Sequence, residues 1–484
     1  MMKSTLDEIK PHYNTLIVGG GIVGAGLLRD LALHGIDCLL VDKKDFSSQT
    51  SQSSSKMLHG GIRYLENFDF ALVMEALHEK NLWLNLAPHL CYEKSFYFPV
   101  YKDSPKPLWM VRIGLMIYDY LSSFLNTPHK ILTPNEVNRH FPTLKKEGLT
   151  GVGVYHDVVV DDVKLTLEVI YDALYEKNSQ AINYVSLIDI QPGHPCSVRL
   201  GSELNPSWEK TITADNVVFA TGPFTDKLLT SFPQMHWTPQ LLPSKGSHIW
   251  LKREALDIDA PMVLTTPDER IIFTIPRRSG ILVGTTEVKT SEDFFDIKSS
   301  QEEVDYLINS INNYFPTETV SQEDILSTFA GIRPLVREEG SRNMNKTARV
   351  HKEYRPFSNI TILIGGKYTT FRTMVQDTAR TIVLKSGGEY NKNKTQKFLR
   401  QESEIYPFQK AIHIEKRMTP EIMENILQKE YPKTIEDLIR RRIGIANKRH
   451  WGDAKSFDQF FLSYLDIIQN YMDVTKDDII NYPV

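Results

Sequence analysis

A chain of 484 residues with 41% hydrophobic and 24% charged residues can bury a large core and should divide into two or three domains. Its net charge of −4 gives no global attraction to nucleic acid, so any basic surface must be local. Cys38, Cys91 and Cys196 lie far apart without metal-ligand spacing, which argues against a disulfide scaffold, predicts no metal and suits a reducing compartment.

The N-terminal stretch MMKSTLDEIKPHYN lacks the apolar core of a signal peptide. No segment offers the roughly 18 uninterrupted apolar residues of a membrane crossing, so a soluble or peripheral protein is expected. The first predicted elements run from Thr15 to Asp42, TLIVGGGIVGAGLLRDLALHGIDCLLVD. Leu16, Ile17 and Val18 suit a buried parallel strand, and Gly19, Gly21 and Gly24 follow in G-x-G-x-x-G spacing. The first glycine permits a tight turn, the second lets backbone approach a pyrophosphate, and the third lets the helix from Ile22 pack on the strand. The pyrophosphate would sit at that helix's N-terminus, where free N–H groups favour negative charge. Asp42 ends the next apolar run, Cys38 to Val41, and puts a carboxylate where a ribose hydroxyl would lie. The motif predicts a dinucleotide site without separating FAD from NAD.

A hydroxyl-rich loop, Ser47 to Ser55, follows and suits phosphate contact. Lys56, His59, Arg63 and Tyr64 then cluster around Gly60-Gly61, a pattern that could hold a second anion. A helix is expected over residues 66 to 87, ending before Pro88. After a strand at Phe96 to Val100, PKPLWMVRIGLMIYDYLSSFL reads as an amphipathic helix whose Met and aromatic residues are expected in core or domain-interface contacts, with a membrane surface as the alternative. Thr133-Pro134-Asn135-Glu136 marks a helix start, and Asp161-Asp162 precede the helix Val163 to Tyr175 as caps. Short strands then lead to Val217–Ala220 and Thr221-Gly222, read as a second nucleotide-contact turn.

From Pro239 the segments KGSHIWL, APMVLTT, RIIFTIPR and GILVGTTEV predict a largely antiparallel sheet. A helix from Ser300 to Tyr314 follows, and Arg333 stands before Pro334 at a strand end. The strand Ile360 to Ile364 enters Gly365-Gly366-Lys367, and Thr369 or Thr370 is expected to cap the helix carrying Arg372. In the helical tail, Thr419-Pro420-Glu421 starts one helix and Thr434 to Asp437 another, ending near Gly444. Arg440, Arg441, Arg442, Lys448 and Arg449 form the dense basic run, expected on a solvated face or against acids within the fold rather than at an anionic membrane.

These pieces together resemble the FAD-dependent, quinone-linked glycerol-3-phosphate dehydrogenase family. The resemblance runs from IVGGGIVGAG through SSSKMLHGGIRYLE, APHL, VDD, ATGP, KGSHI, GTTE, GIRPL and GGKYTTFR, about residues 14 to 385, and continues more weakly through TIEDLIRRRIGIA. Asp42 stands where a glutamate is common, His34 where an arginine often sits, and the C-terminal region is short.

The fold implied is α/β: a two-dinucleotide-binding-fold, glutathione-reductase-like FAD domain (14–95, 150–235 and 355–388), a mixed or antiparallel-sheet substrate domain (96–149 and 236–354) and a helical C-terminal domain (389–484). The activity implied is oxidation of sn-glycerol 3-phosphate at C2 to dihydroxyacetone phosphate, with hydride passing to flavin N5 and electrons to a membrane quinone or, in the oxidase branch, to oxygen. It further implies a cytoplasmic protein peripheral to the inner (cytoplasmic) membrane, a homodimer, and no nucleic-acid partner. No second G-x-G-x-x-G occurs, so FAD in the one site leaves no place for NAD.

Candidate cofactor contacts are Gly19, Gly21, Gly24, Asp42, Ser54, Ser55, Lys56, Thr221, Gly222, Gly366, Thr369 and Thr370. Arg63, Arg333 and Lys367 are candidates for a phosphate cradle, with Tyr64 and Tyr368 as further donors. His59 and His248 are candidate bases, and Arg333 could instead polarise the C2 oxygen. The alternatives are a glycerol-3-phosphate oxidase, a non-catalytic flavin-binding membrane-associated protein, and a flavoprotein for another 2-hydroxy acid or amine.

Overall fold

The glycine turn stands at the carboxyl end of β1 (His12–Val18), whose Leu16, Ile17 and Val18 are buried. The computed structural model describes residues 5–290, 294–337, 351–401, 403–404 and 414–484. Parts of the expected domain spans 236–354 and 389–484, and the first four residues of the N-terminal stretch, lie outside the described residues.

After β1 come α1 (Ile22–Leu33), β2 (Cys38–Asp42), β3 (Met57–Leu58), α2 (Phe70–Leu86), β4 (Cys91–Tyr101), α3 (Leu108–Leu121), β5 (Lys130–Leu132), α4 (Pro134–His140), β6 (Leu149–Val160) and α5 (Asp162–Leu174). The chain continues through β7 (Ser179–Asn183), β8 (Val185–Gln191), β9 (Cys196–Ser202), β10 (Glu209–Phe219), α6 (Thr225–Thr230), β11 (Leu241–Leu251), β12 (Met262–Thr265), β13 (Ile271–Arg277), β14 (Gly280–Gly284) and β15 (Val288–Lys289). Then follow α7 (Gln301–Tyr314), β16 (Ile325–Val336), β17 (His351–Phe357), β18 (Ile360–Gly365), α8 (Phe371–Lys385), α9 (Ile414–Arg417) and α10 (Pro420–Lys429). Local chemistry sets several of these ends. The Asp161 carboxylate accepts from Lys164 N at 3.0 Å, the Thr419 hydroxyl accepts from Ile422 N, and Thr133 with Glu136 and Ser300 with Glu303 form capping boxes.

One sheet has the order β17-β18-β10-β1-β2-β7, with β8 and β9 as an antiparallel extension of β10. Its central strands β18, β10, β1, β2 and β7 run parallel, so their carboxyl ends share one edge. Helix α1 is buried along nearly its whole length because α5 and α8 residues share its apolar cluster. Its charged residues are buried as well, Arg29 paired with Asp172 at 2.6 Å. The second sheet has the order β15-β11-β14-β13-β12-β4-β6-β3, with β16 on β11 and β5 on β6. It is antiparallel except where β12 meets β4. This sheet takes in residues 91–95 and 150–160, which the sequence-based boundaries had grouped with the nucleotide region.

Two expectations need correction. The helix predicted over 66–87 starts at Phe70, because residues 62–67 form a tighter 3-10 turn that ends on Phe68 in the left-handed region (φ 59°). In α3, Val111, Leu115 and Tyr118 are buried, but Trp109, Met110, Ile113, Met116 and Tyr120 are exposed rather than packed in the core. The basic run takes up the contacts with acids expected for it: Arg441, Arg442 and Lys448 are buried, the first two against Asp45 and the third beside Asp458, while Arg449 is exposed. Arg441 and Arg442 lie on a π-helical turn, Asp437–Ile443, closed by left-handed Gly444, in a C-terminal region with its own apolar core.

Candidate active site

Parallel strands bring distant sequence together at one edge: Gly19–Gly21 after β1, Asp42 at the end of β2, Thr221-Gly222 beyond β10, and Gly365–Lys367 at the end of β18. Open α/β sheets bind ligands at the carboxyl ends of their strands. A cavity of about 600 Å3 lies there, and the second sheet, through Gly246, His248 and Arg333, closes one side.

The glycines are needed for space. A Cβ on Gly24 would stand 1.9 Å from Gly19 O, so only glycine lets α1 approach β1; one on Gly19 would stand 2.5 Å from Ala220 O. Asp42 accepts from Gly20 N at 2.6 Å and Lys44 N at 2.8 Å, and burial pushes its carboxyl up to about 7. Ser51 Oγ accepts from Ile22 N at 2.9 Å at the helix entrance. Ser47 and Ser48 line the cavity with buried hydroxyls that have no partner among the described residues. Buried hydroxyls are normally satisfied, so these are available to a polar ligand. A glycine cradle, a helix N-terminus, a carboxylate and two such hydroxyls fit the adenosine and pyrophosphate portions of FAD.

The serine loop divides its work. Ser54 Oγ donates to Asp162 Oδ2 at 2.6 Å, and Lys56 Nζ pairs with Asp162 Oδ1 at 2.6 Å. Lys56 is therefore a brace between the loop and α5 and does not line the cavity, which corrects its expected cofactor role. Ser54 and Ser55 do line it, and Ser55 Oγ lies 2.9 Å from His248 Nε2. Thr221, Gly222, Gly366 and Thr369 also line it. Thr369 Oγ1 accepts from His59 N at 3.2 Å, while Thr370 is buried beyond the cavity wall; neither caps α8 by its side chain. The Tyr368 hydroxyl donates to Asp162 O at 2.6 Å and meets Thr166 Oγ1, so it turns away from the expected substrate contact.

The second sheet and the turn after β18 add further polar groups to the cavity. His248 is buried, stacks on Phe329 at 4.8 Å between centroids, and fits because Gly284 has no side chain: a Cβ there would meet His248 Cδ2 at 2.1 Å. Burial, aided by Arg333 and Lys56, pushes His248 down to about 3, so it is neutral. Arg333 Nη2 donates to Thr285 Oγ1 at 2.8 Å and Thr286 O at 3.1 Å, lying over Gly246, where a Cβ would be 2.4 Å away. Lys367 Nζ stands 3.8 Å from the Tyr64 ring centroid, and Arg63 Cζ is 5.5 Å from the same ring. Lys367 and His59 line the cavity; Arg63 and Tyr64, expected as substrate contacts, are not among its lining residues, and the Tyr64 ring meets both Lys367 and Arg63. Sequence reasoning missed Thr285 and Phe329, whose contacts with Arg333 and His248 come from strand register rather than any local motif. It grouped Ser47 and Ser48 in the loop without singling them out.

Fold and cleft define an α/β FAD-binding oxidoreductase with a mixed second sheet and a helical C-terminal region. The family model described as FAD dependent oxidoreductase (DAO) matches residues 14–366, and the chain belongs to that family. Its cofactor is FAD, which the groove residues fit.

The chain is similar to the aerobic glycerol-3-phosphate dehydrogenases of Bacillus subtilis strain 168 (31% identical over 373 residues) and Staphylococcus aureus strain MRSA252 (35% over 375). Each match takes in 76% of this chain and 66% of the relative, just under two thirds of the relatives' length. Among solved structures, the FAD complex of glycerol-3-phosphate dehydrogenase from Bacillus halodurans is similar with a TM-score of 0.74, at 22% identity, covering 98% of this chain and 94% of that one. The FAD-bound L-alpha-glycerophosphate oxidase of Mycoplasma pneumoniae gives 0.61 at 17%, covering 80% and 99%. At these identities the structures speak for the fold.

Proposed function

We propose that this chain is an FAD-dependent glycerol-3-phosphate dehydrogenase that oxidises sn-glycerol 3-phosphate at C2 to dihydroxyacetone phosphate and passes the electrons to a membrane quinone. The observation that carries the reading is one cavity lined by a neutral histidine, His248, and two cationic side chains, Arg333 and Lys367. A phosphate dianion asks for such cations, and guanidinium suits it because its fork grips two oxygens at once. The named relatives share this substrate in their names.

In this reading Lys367 and Arg333 hold the phosphate, with the Tyr64 ring packed against Lys367. With Nε2–H given to Ser55 Oγ, His248 keeps the Nδ1 lone pair, and it takes the C2 hydroxyl proton there. Arg333 also steadies the alkoxide charge that develops as the proton leaves. His59, fixed through its backbone to Thr369, lines the same cavity and orients the substrate there. FAD, when bound, supplies the hydride acceptor at flavin N5.

The domain reading keeps an FAD-binding domain, a substrate domain and a helical C-terminal domain (389–484), with β4 and β6 assigned to the substrate domain because of their sheet. No helix among the described residues is long and apolar enough to cross a membrane. The exposed apolar face of α3 supports peripheral contact with the cytoplasmic membrane surface, where a quinone would be reached.

A second reading, an oxidase passing electrons to oxygen, is favoured by the fold shared with the Mycoplasma pneumoniae enzyme. The test is turnover of sn-glycerol 3-phosphate with a ubiquinone analogue under argon, compared with air alone. Quinone-dependent formation of dihydroxyacetone phosphate with little peroxide supports the dehydrogenase. Rapid stoichiometric peroxide in air supports the oxidase, and no product under either condition refutes both.

A further inference from the structure

Asp45, in the loop after β2, is buried and gripped from a place nearly four hundred residues later in the chain. Arg442, itself fully buried, donates Nη2 to Asp45 Oδ1 at 2.9 Å and Nη1 to Oδ2, a bidentate pair. Arg441 Nε adds a bond to Oδ2 at 2.7 Å, and Asn183 Nδ2 one to Oδ1 at 2.7 Å. Arg442 Nε is taken by Glu430 O at 2.8 Å, so its direction is fixed from behind. Together the two guanidiniums hold the Asp45 carboxyl down at about 2.

The other side of the same loop touches the glycine turn. Ser47 N donates to Gly20 O at 3.0 Å, Gly20 N donates to Asp42 Oδ2, and the Phe46 ring covers Gly20 so closely that a Cβ there would be 2.5 Å away. Ser47 and Ser48, with their hydroxyls in the cavity, are the next residues along. The loop is thus pinned between the cofactor turn inside and the arginine pair outside. Tyr184 runs a parallel tie, its N donating to Lys44 O and its hydroxyl to Asp437 Oδ1 at 2.9 Å.

We infer that Arg442, with Arg441, is a positioning residue for FAD: through Asp45 the C-terminal region holds the 42–48 loop in its cofactor-binding shape, so FAD retention and docking of residues 437–445 are coupled. Coupling of two sites is reciprocal: what the latch gives to FAD, FAD must return to the latch. This inference needs FAD in the groove but is independent of the substrate.

The test uses the full-length holoprotein. Arg442→Met should raise the FAD dissociation rate, followed by flavin fluorescence on dilution, by about tenfold or more. Arg442→Lys, which keeps the charge without the fork, should fall between it and the parent. In the unaltered protein, FAD should slow amide hydrogen exchange in residues 437–445, and Asp45→Asn should abolish that protection. Unchanged dissociation in soluble, folded Arg442→Met would overturn the inference. Should that variant fail to fold, exchange in the unaltered protein decides: protection that is the same with and without FAD overturns it.

Discussion

Ser55 Oγ lies 2.9 Å from His248 Nε2, and this contact joins the serine loop of the nucleotide region to the inner strand β11 of the second sheet. It fixes one ring nitrogen, while stacking on Phe329 fixes the ring plane. A histidine held this way has one nitrogen committed to structure and, in the proposed function, one left for chemistry.

His248→Asn should lower the rate of flavin reduction by sn-glycerol 3-phosphate by about 10²- to 10⁴-fold, the span of general base catalysis. Ser55→Ala should cost about tenfold in rate with little change in substrate affinity, since it frees the ring without removing the base. Because His248 is pushed down to about 3 from an ordinary 6.5, it stays neutral at pH 5–8 and contributes no acid limb there. The linked stability has the opposite sign from a histidine gaining an acid partner: a neutral buried ring subtracts stability progressively as pH falls from about 6.5 towards 3. Denaturant unfolding of His248→Asn should show a shallower loss over that window.

FAD affinity should itself depend on pH through Asp42, pushed up to about 7 by burial in the FAD-free protein. Ribose hydroxyls donating to the carboxylate favour its ionised form, so binding releases a proton and tightens as pH rises towards 7. Isothermal titration in two buffers should report that release at pH 6, with affinity changing by up to about tenfold per pH unit below 7. Asp42→Asn should bind FAD more weakly and without that dependence. In the FAD-free protein, Asp42 contributes stability that is full below its ordinary 3.8 and is lost as pH rises through about 7.

Replacing Arg333 or Lys367 by an uncharged residue, Arg333→Leu or Lys367→Met, should raise KM for the phosphorylated substrate by about 10-fold to 100-fold, as expected for lost charge-assisted hydrogen bonds. Arg333→Leu should also lower kcat, because Arg333 faces both phosphate and developing alkoxide, whereas Lys367→Met should act mainly on KM. Steady-state kinetics against glycerol as a phosphate-free reference separates the two effects.

The α3 face offers Trp109, Ile113 and Met116 to solvent. The triple change Trp109→Ser, Ile113→Ser, Met116→Ser should reduce cosedimentation with anionic phospholipid vesicles while leaving flavin reduction by dissolved substrate intact. Equal cosedimentation of both proteins would remove α3 as the membrane contact.

Much of this fold was legible because it is written locally. The spacing of Gly19, Gly21 and Gly24 encodes a steric requirement between neighbours, and Asp161, Thr133 and Thr419 cap helices within a few residues of themselves. The apolar positions of α3 announced a helix, but periodicity does not say whether a partner covers the outer face, and none does among the described residues. Lys56 and Tyr368 carried the right chemistry for ligands, yet both are spent on Asp162, a choice made by the packing of α5 more than a hundred residues away. Arg442 looked like one member of a basic run, and only the tertiary fold finds it the carboxylate of Asp45.

The central claim is that sn-glycerol 3-phosphate itself delivers electrons to the flavin of this chain. Anaerobic mixing of the FAD-loaded protein with one equivalent of that substrate tests it directly. The account predicts bleaching of the flavin's visible absorbance with formation of one dihydroxyacetone phosphate per flavin, and no bleaching by glycerol at the same concentration. An oxidised spectrum that persists in excess sn-glycerol 3-phosphate would contradict it.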